Sequence, residues 1–231
     1  MQITAELFYA LWLTIKLAFV STLVLLVICV PLAHWVNNTR SKWGVMVELL
    51  VTLPIVLPPT VIGFYLLLLF SPQYVVGKTW LFLFDSSLVF SFTGLVIGSV
   101  MYSLPFALQP IQTAFKQVDD TLLEAAIALG ATPKQVFWTV IVPTARYGIL
   151  SGALLSFAHT MGEFGVVLML GGSIPHETKV ASIALYDEVQ KLNYVAAHQF
   201  ALLLLVLSAL MLALIIGLQR VKAHKPRIRL F

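Results

Sequence analysis

The sequence predicts an all-α protein: a bundle of about five membrane-crossing helices forming a single domain over residues 1–231. Three observations predict it. Of 231 residues, 60% are hydrophobic and 10% are charged, against roughly 25% charged and about 45–50% apolar in a water-soluble domain. So few charges cannot cover that much apolar surface, and lipid is the expected solvent for most of the chain. The apolar residues also gather into five stretches, each near the roughly 20 residues a helix needs to cross the hydrocarbon. Finally, Lys and Arg are spread unevenly over the connecting segments.

The first span is expected over about Leu11–Trp35, with Lys16 inside it. No basic residue precedes it, and it is too long for the apolar core of a signal peptide, so it is read as a span of the mature chain. The second covers about Val45–Phe70 and contains Pro54, Pro58 and Pro59. Pro58 and Pro59 donate no backbone hydrogen bond and disfavour helix at the preceding residue. Carbonyls near Pro54 and Ile55 therefore lose their helical partners, with the Thr60 hydroxyl close by. The third span runs from about Leu88 to Leu108 and holds Ser103 and Pro105. The fourth, about Ile149–Leu170, holds Ser156, His159 and Glu163, and is softened by Gly162 and Gly165. The fifth is expected over about Phe200–Leu218.

Ten basic residues fall on one side of this arrangement: Arg40, Lys42, Lys116, Lys134, Arg146, Arg220, Lys222, Lys225, Arg227 and Arg229. Lys78, Lys179 and Lys191 fall on the other. The positive-inside rule then places the N-terminus outside and the C-terminus in the cytoplasm, as an odd number of spans requires. The basic tail is read as an anchor on anionic membrane lipid, with no role for nucleic acid. Cys29 is the single cysteine, which excludes an intrachain disulfide. The five histidines have no metal-ligand spacing, no catalytic set is legible, and no metal or cofactor is expected on this chain. Val75–Thr79 resembles the end of a phosphate-binding loop, but its first glycine would fall at Pro72.

Between the third and fourth spans, about 116–146, lies a connection far less apolar than its neighbours. Asp119 or Asp120 can cap a helix running to Leu129, and Gly130 can end it in the left-handed conformation. Thr132 and Pro133 then start a second helix as N-cap and first helical residue. That helix carries Val136, Phe137, Val140 and Ile141 on one face, and Pro143 is expected to end it. The product is helix–turn–helix with a small corner at Gly130-Ala131, suited either to docking in a groove of another protein or to packing on its own bundle.

This loop resembles the EAA loop of the permeases of ATP-binding-cassette (ABC) importers. Glu124-Ala125-Ala126, three residues, Gly130, nine residues and Val140-Ile141-Val142-Pro143 match its spacing, with Val140 and Val142 replacing Ile and Leu. Leu53–Val61 is similar to the second span of molybdate permeases. Ser156–Gly165 resembles the F-A-R-x-x-G-E-F-G stretch of molybdate and sulfate permeases, with His159 in place of Arg. Ile174–Thr178 resembles the I-P-G-E-T that follows it. The resemblance implies the type I ABC importer permease fold and a multi-pass subunit of the cell inner membrane that passes molybdate, or alternatively tungstate or sulfate. It implies a homodimer, two cytoplasmic ABC ATPase subunits that use ATP and Mg, and a periplasmic or extracellular molybdate-binding protein. The ATPase-coupling residues it implies are Glu124, Ala125, Ala126, Gly130, Ala131, Pro133, Val140 and Pro143.

For the pathway or gate, Pro58, Pro59, Thr60, Ser103, Ser156, Gly162 and Gly165 supply freed backbone, hydroxyls or soft helix, which suit weak and transient anion binding. Lys16, His159 and Glu163 are buried charges with a structural role, since a carboxylate repels an oxyanion. Glu163 is expected to be held by Lys16 at similar depth, by His159 one turn away, or by backbone amides. The segment about 171–199 forms the other large loop, with a partly amphipathic helix over 180–198 that either closes the pathway, receives the binding protein or lies on lipid. Two other classes compete. A lipid-modifying enzyme would need acidic metal ligands, for which only Asp119-Asp120 offers itself. An ion-gradient carrier would need buried acids in matched halves, yet no internal repeat is visible and only Glu163 qualifies.

Overall fold

The computed structural model describes residues 2–39 and 41–223. Arg40, Lys225, Arg227 and Arg229 of the basic set lie outside the described residues, as do the side chains of Arg220 and Lys222. All regular structure among the described residues is helical. Three helices are long and apolar enough to cross a bilayer alone, and two bent pairs raise the number to five.

Helix α1 is Gln2–Asn38, and α2 is Lys42–Val56, capped by the Ser41 hydroxyl accepting from the Trp43 amide. At Leu57 and Pro58 the backbone becomes extended, and the chain turns through 116° into α3, Pro59–Phe70. The expected kinked rod is thus two separate arms. Two adjacent prolines remove two consecutive donors and force Leu57 out of the helical region, so no hydrogen bond bridges the turn in a straight line.

A short apolar helix that the sequence did not signal, α4 (Val75–Phe84), precedes α5, Phe92–Lys116. The third span starts later and ends later than expected. The Ser91 hydroxyl accepts from the Gly94 amide and fixes the start, and helix continues past Pro105 and Pro110 to Lys116. Helix α5 is the axis of the bundle. Toward its C-terminal end, Ala107, Leu108 and Ile111 pack with Leu25 of α1 and with Phe137 and Ile141. Toward its N-terminal end, Leu95 packs with Leu17, Val166 and Leu170.

The connection after α5 forms α6 (Asp120–Ala128), α7 (Pro133–Val136), a π-helical turn over Phe137–Ile141 and α8 (Val142–Thr144). Pro143 does not end the second helix, contrary to expectation. In the π turn the Val142 amide donates to the Phe137 carbonyl five residues back, and the wider turn leaves Pro143 without the amide bond it cannot make. The change of direction, 69°, comes at Ala145, before α9, Arg146–Gly162. Glu163 and Phe164 then break the fourth span ahead of α10, Gly165–Gly171.

The expected helix over 180–198 is also two pieces, α11 (Ala181–Gln190) and the start of α12 (Tyr194–Ala223). Leu192, at φ 59°, and Asn193 divide them. Helix α11 does not lie on lipid alone: Ala181 and Ala184 pack against Ala10 of α1 and Phe200 of α12. Its N-terminus has no cap of its own, because Val180 holds that position. Thr14 supplies one from α1, its hydroxyl accepting from the Ala181 amide at 2.8 Å and donating to the Ala10 carbonyl at 2.7 Å.

Candidate functional site

Two regions collect the residues singled out in the sequence. The first is the loop α6–α8. Asp119 caps α6, accepting from the Thr121 amide at 2.9 Å and hydroxyl at 2.8 Å. These bonds to the Thr121 hydroxyl and amide hold its carboxyl below the usual range. Gly130 has φ 84°, the left-handed residue that ends the helix. Thr132 and Gln135 then form a reciprocal capping box, with Pro133 at the first helical position. The apolar face Val136, Phe137 and Ile141 is buried against α1 and α5, with Val140 half-buried. Helix α6 buries none of its residues completely. Glu124, Ala125, Leu122, Ile127 and Leu129 stand exposed, Leu129 at 89%, while Ala126 and Ala131 turn toward the bundle. Pro133 and Pro143 are also exposed. The loop is therefore a rigid bracket fixed to the bundle by its second half, with a free apolar ridge on its first.

The second region is the crossing of the two helix breaks. Gly165, just past the α9–α10 break, abuts Pro59 and Thr60, just past the α2–α3 break. A Cβ at Gly165 would lie 2.9 Å from Pro59 Cβ and 3.2 Å from the Thr60 amide nitrogen. Pro58 and Thr60 are exposed and Pro59 half-buried at this crossing. Gly162 is exposed, with open space where a side chain would sit.

Beside the crossing runs a buried polar seam. Ser99 and Ser103, one turn apart on α5, are both fully buried. Ser103 Oγ lies 2.9 Å from His159 Nδ1 and 2.9 Å from Thr160 Oγ1. The His159 ring stacks on Phe106 at 3.8 Å and leans on Tyr102 at 4.9 Å. Ser156 is buried as well, but its hydroxyl turns back to the Ala153 carbonyl, so it does not join the seam.

Glu163 sits in the break itself, 4% exposed. Its carbonyl accepts from the Ser182 hydroxyl at 2.7 Å, tying α11 to the break. The Ser99 hydroxyl lies beside its carboxylate, and no other described residue supplies a hydrogen bond to either carboxylate oxygen. The expected holders are engaged elsewhere. Lys16 is exposed, with Nζ 4.6 Å over the Phe92 ring, and His159 is committed to Ser103. The break explains this: Glu163 ends α9 in an extended conformation, so the helical spacing used to place it near His159 does not apply beyond Gly162.

Among the described residues no group of three or more His, Cys, Asp or Glu side chains could hold a metal ion. Thr14, Ser99 and Ser182 were missed in the sequence. The Ser99/Ser103 spacing of four on one helix face was a readable sign of a polar seam, whereas Thr14 and Ala181, 167 residues apart, left none.

Comparison with known proteins supplies the remaining findings. The family described as "Binding-protein-dependent transport system inner membrane component" matches residues 26–229. The chain is 45% identical over 214 residues to the molybdenum transport system permease protein ModB of Azotobacter vinelandii, covering 93% of this chain and 95% of that protein. It is 32% identical over 206 residues to the sulfate transport system permease protein CysT of Escherichia coli, covering 89% and 74%. In fold it matches a chain of the inward-facing MetNI methionine ABC transporter, with a TM-score of 0.74, 19% identity and coverage of 98% and 99%.

Proposed function

We propose, from the premise that the chain belongs to the family of binding-protein-dependent transport system inner membrane components, that it is the multi-pass permease subunit of an ABC importer that carries molybdate across the cell inner membrane. The observation that carries this reading is the 45% identity to a molybdenum permease over nearly the full length of both chains. The more distant likeness to a sulfate permease keeps sulfate as the second reading, and tungstate shares the size and charge of molybdate.

In this reading the end of the bundle bearing α6–α8 faces the cytoplasm, and the N-terminus faces outside. The permease itself holds no ATP. A separate ATPase binds ATP and Mg and seats α6, around Glu124, Ala125 and Gly130, in a cleft on its surface. Two copies of the chain pair, each on its own ATPase, and a binding protein delivers the oxyanion to the far end, near α11. Burial of Val136, Phe137 and Ile141 against α1 and α5 makes the bracket transmit force: a push on α6 moves the ends of α5 and α9 together. Those two helices carry Ser103, His159 and Thr160, and α9 runs directly into the break at Glu163, so the push arrives at the crossing of the two breaks. There Pro58, Pro59 and Thr60 meet Gly165, and extended backbone replaces stiff helix. The crossing is the gate, and hydroxyls with freed amides give the oxyanion weak, transient contacts.

Vesicles containing the chain, its ATPase and the cognate binding protein test the reading. ATP-dependent uptake of labelled molybdate should be displaced by unlabelled molybdate or tungstate well before sulfate. Uptake that sulfate displaces equally well would transfer the assignment to the sulfate reading. Uptake that needs no ATPase would remove the importer reading altogether.

A further inference from the structure

A hollow lies at the loop end of the bundle, apart from the crossing. It encloses about 180 Å3 between the last turn of α1, the end of α5 and the inner side of α6. Its polar lining is His34, Asn37, Asn38, Lys116 and Asp120, and Ile141 forms part of an apolar wall. The amide of Asn37 is oriented by its bond to the Gln112 carbonyl, at 3.1 Å, since the flipped amide would set oxygen against oxygen. That leaves Asn37 Oδ1 buried and without a partner. His34 is held by the Asn38 amide, 3.0 Å from Nδ1, and by the Phe137 ring at 4.6 Å. Lys116 and Asp120 both line the hollow, yet neither makes an ion pair among the described residues.

We propose that this hollow binds a phosphoethanolamine headgroup, with Lys116 on the phosphate and Asp120 and Asn37 Oδ1 on the primary ammonium. One free cation and one free carboxylate in the same hollow call for a ligand carrying both signs, and an orphan acceptor beside them calls for an N–H donor. The position fits a lipid. Trp35 and Trp43, on the turns that bracket the α1–α2 connection, are both exposed, which marks the level of a bilayer interface. A simple tetrahedral anion would leave Asp120 and the Asn37 acceptor facing it. A choline headgroup has no N–H to give them. Bound there, the lipid would bridge α1 and α5 to the inner side of α6 and stiffen the bracket from behind, without touching the exposed ridge at Leu122, Ile127 and Leu129. The proposal rests on reading this end as the cytoplasmic face of a membrane protein.

The test uses the chain with its ATPase in nanodiscs of phosphatidylglycerol mixed with either phosphatidylethanolamine or phosphatidylcholine. Lipid retained after delipidation is counted by native mass spectrometry, and molybdate uptake is measured on the same preparation. One phosphatidylethanolamine retained per chain is expected, with no retained phosphatidylcholine. Retention should fall roughly tenfold or more in Lys116→Gln and in Asp120→Asn, the loss expected for a charge-assisted contact. Equal retention of the two lipids by the wild-type complex overturns the proposal, and this comparison decides even if a variant fails to assemble. Displacement of the lipid by excess inorganic phosphate alone also overturns it, by assigning the hollow to a free anion. Retention and uptake are separate readouts, so lost lipid selectivity with intact molybdate uptake would defeat this inference and leave the importer reading standing.

Discussion

Replacing Gly165 by alanine tests the crossing of the two breaks most directly. The added Cβ would sit 2.9 Å from Pro59 Cβ and 3.2 Å from the Thr60 amide nitrogen, where ordinary contact begins at 3.4 Å. Neither neighbour is the end of a flexible side chain: one belongs to a proline ring, the other to backbone. The arms must therefore separate by a few tenths of an ångström. Overpacking of this kind costs about 1–3 kcal/mol, a shift of roughly 5- to 150-fold in the balance between conformations with the breaks packed and apart. Gly162→Ala is the matched control, three residues away, with nothing within 4 Å of its new Cβ. Two assays read the difference: thermal unfolding of the purified complex, and ATP-dependent molybdate uptake in vesicles. Gly165→Ala should lower the unfolding midpoint by roughly 2–4 °C for each kcal/mol and change the uptake rate, whereas Gly162→Ala should match the wild type in both. If the two variants behave alike, close packing at the crossing is not what sets the gate.

Three further outcomes are expected. Gly130→Ala meets no atom within 4 Å, so its cost is the left-handed backbone alone, about 1–2 kcal/mol; affinity for the ATPase should fall by roughly tenfold, and Gly130→Asn should recover part of it. Thr14→Val removes the side-chain bond to the Ala181 amide and should destabilise by about 1 kcal/mol, as loss of an N-cap does, while Thr14→Ser should unfold like the wild type. At the far end, outside the spans, the hydrogen bond from Lys191 holds the Glu188 carboxyl below its usual value of 4.5, with Asn193 also donating. A depressed carboxyl stabilises the fold above its unfolded value and loses that contribution as pH falls through its lower folded value. The acid-side loss of stability should therefore flatten in Glu188→Gln, measured by unfolding midpoint against pH.

Local chemistry was readable and distant geometry was not. In the α6–α8 loop every device acts within a few residues: the Asp119 cap, the left-handed Gly130, the Thr132–Gln135 box and Pro133 at the first helical position. Each follows from residue type and spacing alone. The apolar face of Val136, Phe137 and Ile141 was equally visible in helical periodicity, although that periodicity does not say whether the face meets a partner or the protein's own bundle. At Leu57 and Pro58 the sequence showed that helix must fail but not the size of the resulting turn, because the 116° bend depends on α3 finding α10 through Gly165 and Gly63. Thr14 reaches Ala181, and Ser182 reaches Glu163, only after the chain has folded back on itself. Pairing Lys16 with Glu163 from depth was reasonable for two straight helices; it failed because Glu163 leaves its helix in the break while Lys16 looks toward Phe92.

The π turn over Phe137–Ile141 gives the spacing of the loop a geometric meaning. Five residues close a ring that four would close in an α-helix, so the turn holds one residue in surplus. Excising any one of the five would restore an ordinary helix at little local cost. It would leave α7 and α8 at nearly the same bearing, because four residues of α-helix sweep about the same angle as the five of the wider turn. The π turn is thus a spacer: it takes up one residue between Gly130 and Pro143 without re-aiming α6 against the bundle.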